Sequence, residues 1–189
     1  MASCPIYAIG GKENIVADRK LEDSVAEHRK KSAITAGVAV LTLSTSRSLD
    51  SDKSGDVIQN QLEENGHEVP VRKVIPDNRS ILSTTLQEIV RNKKVHAIIT
   101  TGGTGLAPAD ITIEVVKGML DKELPGFNAL FMQLSYPQVK SASMLSRALA
   151  GTIKGKVIFC LPGSPRACKL AMESLILPEL GHILMLLRS

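Results

Sequence analysis

The residue types able to do chemistry crowd into a few short stretches. In AIITTGGTGLAPADITIE, from Ala97 to Glu114, an apolar run ends at two threonines, a Gly/Thr cluster follows, and then a carboxylate, Asp110. Glycines after a strand let backbone N–H groups close on an anion without interference from Cβ atoms. A helix opening nearby adds the positive end of its dipole. No GK[ST] follows, the spacing is not GxGxxG, and the acidic residue expected about 20 positions on is absent, so neither a P-loop nor a dinucleotide fingerprint is present. Spacing alone leaves two readings: a phosphate cradle of Gly102, Gly103, Thr104 and Gly105, or a tight strand-to-helix turn. Asp110 is open between capping the next helix and holding Mg²⁺ against phosphate oxygens.

A second carboxylate, Asp77, sits in VIPDN. Alone it is ordinary turn chemistry, but two carboxylates converging on one anion site call for a cation. PGSPRA, from Pro162 to Ala167, places Pro165 in the first turn of a helix, where Ser164 is free to cap that helix or meet an anion. Glu114 falls one turn after Asp110 on the same expected helix face.

The elements that must position these residues alternate. GVAVLTL (37–43), EVPVRKVIP (68–76), VHAIITT (95–101) and KVIFCLPG (156–163) read as strands. Between them fall helical patterns over DVIQNQLEENGH, SILSTTLQEIVRNK, about 110–120, and an interrupted stretch over 127–150. A last helix runs from Pro165 to about Leu187. Continuous apolar strands alternating with helices predict a doubly wound, mostly parallel α/β sheet. Ligands bind such sheets beyond the carboxyl ends of the strands, which gathers the STSRSLDSDKSG loop, the PDN turn, the TTGGTG loop and the PGSPRA loop at one pocket.

Composition removes other classes. The chain of 189 residues has a net charge of +4 but no Trp, two Tyr and three Phe, and its Lys and Arg are dispersed. Stacking on nucleic acid and a DNA-binding stripe are both poorly supplied, so nucleic acid is not an expected partner. Cys4, Cys160 and Cys168 form no CxxC pair and read as reduced thiols. With no signal peptide and no unbroken apolar run of about 18 residues, the expectation is a cytoplasmic protein without a membrane partner. Residues 1–35 are polar and aperiodic and read as an N-terminal extension, flexible or laid on another subunit. The domain proper is 36–189.

TTGGTG continued by APADITIE, then ELPGF, SASMLSRALAG and LPGSPRA, in that order, resemble the MoaB/Mog family of molybdenum-cofactor biosynthesis. The resemblance covers residues 37–187, and the upstream EHRK is similar to the MoaB branch. It implies a Rossmann-like three-layer fold and homotrimers or hexamers. The implied reaction is Mg²⁺-dependent transfer of AMP from ATP to molybdopterin, with pyrophosphate released, for molybdenum or tungsten cofactor. Other cofactor-biosynthesis proteins are implied as partners. By the same resemblance, Asp77 and Asp110 serve Mg²⁺ and the triphosphate, Gly102, Gly103, Thr104 and Gly105 cradle phosphates, and Glu114 supports nucleotide or metal. Ser135, Ser146 and Arg147 hold the pterin-phosphate side, and Gly163, Ser164 and Pro165 line the cleft. Ser44, Ser54 and Gly55 complete the first loop. Many family members carry Arg at the position of Ala109, so a bidentate phosphate clamp is missing there, with Lys140 or Arg147 as candidate substitutes. The alternative is a catalytically silent molybdopterin carrier or scaffold of the same family.

Overall fold

In the computed structural model of the chain the described residues are 34–188. The expected extension over 1–35 therefore lies outside them, except for Ile34 and Thr35. Six strands form one sheet in the order β2-β1-β3-β6-β5-β4. β1 (Gly37–Leu43), β2 (Glu68–Ile75), β3 (Ala97–Thr101) and β6 (Lys156–Leu161) are parallel. β5 (Leu149–Ile153) runs antiparallel to β6, and β4 (Lys122–Glu123) antiparallel to β5. The central strands are apolar throughout because helices cover both of their faces.

Successive side chains on each strand go to opposite layers. Val38, Val40, Ile99, Val157 and Phe159 meet helices α1 (Lys53–Glu64), α4 (Pro125–Val139), α5 (Pro165–Ala171) and α6 (Leu177–Arg188) through Ile58, Leu62, Phe131, Met172 and Leu180. Ala39, Leu41, Ile98 and Ile158 meet α2 (Arg79–Arg91) and α3 (Thr112–Lys117) through Leu82, Leu86, Ile89 and Val116. The expected three-layer α/β architecture is present. Helices α5 and α6 are one continuous rod joined by a π turn at Met172–Ile176. By length and composition this rod, Pro165–Arg188 with a mean hydropathy of 1.6, is long and apolar enough to cross a membrane, although charged residues interrupt its apolar run. Here Cys168, Met172, Ile176, Leu180 and Leu184 form part of the core against the sheet.

Three expectations need correction. The helical stretch read over 127–150 stops at Val139, passes through a 3₁₀ segment at Lys140–Leu145, and becomes strand β5 from Leu149. The hairpin signal was in the sequence: Lys154 (φ 48°) and Gly155 (φ 76°) make the two left-handed positions of a tight β-turn. The strand read from Val95 begins at Ala97, because Val95 N–H bonds to Asn92 O in the preceding turn. The helix read from Asp110 begins only at Thr112 and spans six residues.

Candidate active site at the carboxyl edge of the sheet

Leu43 lies beside Ile75, Thr42 beside Thr101, and Thr101 beside Leu161, so four parallel strands leave the sheet at one edge. Hydrogen bonds then stitch the four loops together. Ser44 N–H donates to Ile75 O at 2.9 Å, and Gly102 N–H donates to Leu161 O at 3.1 Å. The Thr101 hydroxyl donates to Pro162 O at 2.9 Å, and Ser54 Oγ reaches Gly163 O at 2.8 Å. A cavity of about 230 Å³ opens where the loops meet. Its walls include Ser44 to Arg47 from the first loop, Asp77 from the second, Gly102, Gly103, Ala109 and Asp110 from the third, and Gly163 from the fourth. A larger hollow of about 580 Å³ between Val90, Met119 and Ile153 lies away from this edge and from the two aspartates.

Gly102 (φ 93°) and Gly103 (φ 61°) both take left-handed backbone, which side-chain-bearing residues adopt at a cost. Space is scarce as well. A Cβ on Gly103 would sit 2.6 Å from Thr112 Oγ1 and 2.9 Å from Asp77 Oδ1. Thr112 has no freedom to retreat: it is buried, its hydroxyl donates to Gly102 O at 2.8 Å and its N–H to Gly103 O at 2.9 Å. The glycine loop is thereby fastened to α3.

Asp110 does not cap that helix. The N-cap position is Ile111, and no side chain bonds the first-turn amides. Asp110 Oδ2 instead accepts from Ala107 N–H at 2.9 Å and closes a turn over 107–110, whose backbone also bonds from Asp110 N–H to Ala107 O. The capping alternative is excluded by this geometry, and Asp110 is part of the cavity wall. Asp77 has a raised pKa, chiefly from burial and next from the charge of Asp110, offset in part by backbone N–H groups of Thr45 and Asp77. Two carboxylates therefore share one field. Among the described residues no group of three or more His, Cys, Asp or Glu side chains is placed to hold a metal.

The other expected site residues divide. Arg147 is spent on the loop: its guanidinium donates to Thr104 O at 2.9 Å, to Gly105 O at 2.7 Å, and to both oxygens of Glu114. That contact with Arg147 is the largest cause of the lowered pKa of Glu114. Thr104 is buried, and neither it nor Gly105 lines the cavity. Ser135 is buried on α4 and Ser146 is half-buried at the end of the 3₁₀ segment, and neither joins the cavity wall. Ser164 occupies the N-cap position of α5, with Pro165 in its first turn, but its hydroxyl makes no capping bond. Gly55 N–H donates to Asp52 Oδ1 at 3.0 Å.

Asp52 is the residue that sequence reasoning missed. Fully buried, it caps α1, accepts from the Thr42 hydroxyl at 2.7 Å, and pairs with Arg72 at 3.3 Å. Through the first turn of α1 it sets the position of Ser54 and the bridge to Gly163. In a Ser/Asp-rich loop nothing distinguishes a buried Asp from a solvated one; an Asp three residues before a Gly at a helix start was the available signal. Cys160 and Cys168 are buried thiols, pushed up to about 12 and about 11 by burial, which agrees with the expectation of inert, reduced cysteines. Cys4 lies outside the described residues.

Comparison with known proteins now adds to the geometry. The family model described as "Probable molybdopterin binding domain" matches residues 39–182. Molybdenum cofactor biosynthesis protein B of Halalkalibacterium halodurans is 43% identical over 162 residues, 85% of this chain and 95% of that protein. A probable molybdopterin adenylyltransferase of Methanocaldococcus jannaschii is 43% identical over 153 residues, 77% of this chain and 90% of that one. A crystal structure of molybdenum cofactor biosynthesis protein B superposes with a TM-score of 0.81 at 40% identity, covering 82% of this chain and 98% of that one.

Proposed function

The chain belongs to the molybdopterin-binding family of molybdenum-cofactor biosynthesis proteins, and from that premise we propose that it is a molybdopterin adenylyltransferase using ATP and Mg²⁺. A phosphate oxygen of molybdopterin forms a bond to the α-phosphorus of ATP, the bond from that phosphorus to the bridging oxygen breaks, and pyrophosphate leaves. Such a transfer needs placement and charge neutralisation more than an acid–base pair. The observation that carries the reading is that Asp77 and Asp110 face one small cavity beside a glycine loop where four strands end.

Two carboxylates with no His or Cys suit a hard cation that keeps water and phosphate oxygens as its other ligands. Asp77 and Asp110 would hold Mg²⁺, which supplies charge neutralisation to the triphosphate. The chain's own part is orientation. Arg147 and Thr112 hold the Gly102–Gly105 backbone in place, and the Ser54 bridge ties the PGSPRA loop to the first loop. Under this reading Glu114 acts by fixing Arg147, and Ser44, Gly163, Ser164 and Pro165 border the cleft in which the pterin phosphate lies. Ser135 and Ser146 belong to the pterin side. The reading extends to a homotrimer or hexamer: Leu130, Leu134, Tyr136, Val139, Met144 and Leu145 are exposed on α4 and the segment after it, an apolar surface suited to self-association. It also puts the chain in the cytoplasm, where it works with other proteins of the same pathway.

The test is incubation with molybdopterin, ATP and Mg²⁺, followed by assay of pyrophosphate and adenylylated pterin. Asp110→Asn should keep the fold, since an amide oxygen still accepts from Ala107 N–H, while turnover is lost. Pterin binding without any pyrophosphate from the wild-type chain would establish the second reading, a silent carrier. Ala109 in the cavity wall favours that reading, because it offers the triphosphate no charge.

A further inference from the structure

Resting on the nucleotide reading above, we infer that Arg47 is a substrate-contacting residue that clamps the phosphate chain of the nucleotide from the first loop, opposite Asp77 and Asp110. Arg47 is the one cationic side chain in the wall of the 230 Å³ cavity. Its guanidinium makes no ion pair or hydrogen bond among the described residues. Arg147 offers the opposite case, with all three guanidinium nitrogens committed to Thr104, Gly105 and Glu114. Of the two, only Arg47 keeps its donors available to a ligand.

The loop is built to hold Arg47 there. Ser44 Oγ accepts from the N–H groups of Ser46 at 3.3 Å and Arg47 at 3.2 Å, which curls 44–47 back over the strand end. Arg47 thereby joins Leu43, Gly102 and Gly163 in the wall of the cavity where the strands end. A cavity of about 230 Å³ falls below the roughly 300–1,000 Å³ that encloses a whole small ligand. It is sized for the phosphates, with nucleoside and pterin outside. A bare triphosphate would be repelled by the two carboxylates, whereas one that brings its divalent cation meets carboxylates through the metal and Arg47 through its unshielded oxygens. The planar fork of Arg suits two phosphate oxygens at once.

The experiment measures binding of ATP with Mg²⁺, inorganic tripolyphosphate with Mg²⁺, adenosine and molybdopterin to the full-length wild type, Arg47→Ala and Arg47→Lys. Arg47→Ala should weaken ATP and tripolyphosphate by roughly 10- to 100-fold, the loss typical of a charged hydrogen-bonding partner. Adenosine, molybdopterin and the melting temperature should stay as in wild type. Arg47→Lys should recover part of the loss, keeping the charge without the fork. Wild-type ATP and tripolyphosphate affinity in Arg47→Ala overturns the assignment, as does a loss confined to molybdopterin or shared equally by adenosine. A wild-type chain that binds neither ATP nor tripolyphosphate refutes the nucleotide reading and this inference together. A chain that turns ATP over with unchanged KM in Arg47→Ala refutes this inference alone.

Discussion

Replacing Gly103 with alanine asks how closely the glycine loop is fitted to Asp77. The new Cβ would stand 2.6 Å from Thr112 Oγ1 and 2.9 Å from Asp77 Oδ1, on a residue with φ +61°. Gly66 provides the control, since it too has a left-handed φ, +77°, but nothing lies within 4 Å of its would-be Cβ. Gly66→Ala should therefore lose only the backbone preference, about 1–2 kcal/mol. Gly103→Ala adds overpacking, another 1–3 kcal/mol or so, because Thr112 cannot move without losing its 2.8 Å bond to Gly102 O. The expected total is about 2–5 kcal/mol by urea unfolding with an unchanged m-value. With Thr112 held by its bonds to Gly102 and Gly103, the Asp77 carboxylate takes up much of the displacement. A shift of about 1 Å in a positioning group costs on the order of 100-fold in rate, so pyrophosphate release should fall well beyond what the unfolded fraction explains. If Gly103→Ala costs no more than Gly66→Ala and turns over at the wild-type rate, the loop is not packed against Asp77 as described.

Three further outcomes are expected. Asp52→Ala removes the acceptor of Thr42 and Gly55 and one partner of Arg72; denaturant unfolding should register a loss of about 3 kcal/mol, with turnover reduced through the Ser54–Gly163 bridge. His67 and His96 accept from the N–H groups of Ala36 and Gly37, and burial lowers the pKa of both from 6.5. The unfolded chain thus binds more protons, so this stability is complete above pH 6.5 and is lost as pH falls through that value towards the folded-state pKa values. Melting temperatures should drop between about pH 7.5 and about pH 5.5, with a smaller drop in His96→Gln. Finally, Cys160 and Cys168, with pKa values near 12 and 11, should ignore a thiol reagent at about pH 8 in a folded Cys4→Ser variant. Both should react once denaturant is added, and labelling of the folded protein would contradict their burial.

What the sequence made legible follows from burial. β1, β3 and β6 are covered on both faces, so they spell continuous apolar runs such as GVAVLTL. β5 is LAGTI at the antiparallel side of the sheet, and its alanine and glycine continue the helix-like SRALA so smoothly that periodicity does not separate them. β4 has two residues and no pattern to find. Asp77 and Asp110 were readable because they follow strand ends, and topology alone sends those ends to one edge. Arg47 was not, since a lone cation in a serine-rich loop has no spacing to mark it. The engagement of Arg147 depends on a contact 42 and 43 residues away in the chain, which no local pattern encodes.

The wide turn at Met172–Ile176 sets the phase of the last helix. Cys168, Met172, Ile176, Leu180 and Leu184 are all buried, at a constant interval of four. On a helix of about 3.6 residues per turn, each interval of four overshoots by about 40°, and the stripe would have wound most of the way to the far side by Leu184. A turn with i→i+5 bonding holds more residues, so that one interval undershoots and hands back part of the drift. The rod works as a vernier, with two scales of slightly different pitch meeting at one mark. Chain length between Ala171 and Leu177 is therefore under tighter control than residue identity. Deleting one residue there would rotate everything beyond it by about 100°, swing Leu180 and Leu184 off the sheet, and register as a lower melting temperature without touching Asp77, Asp110 or the glycine loop.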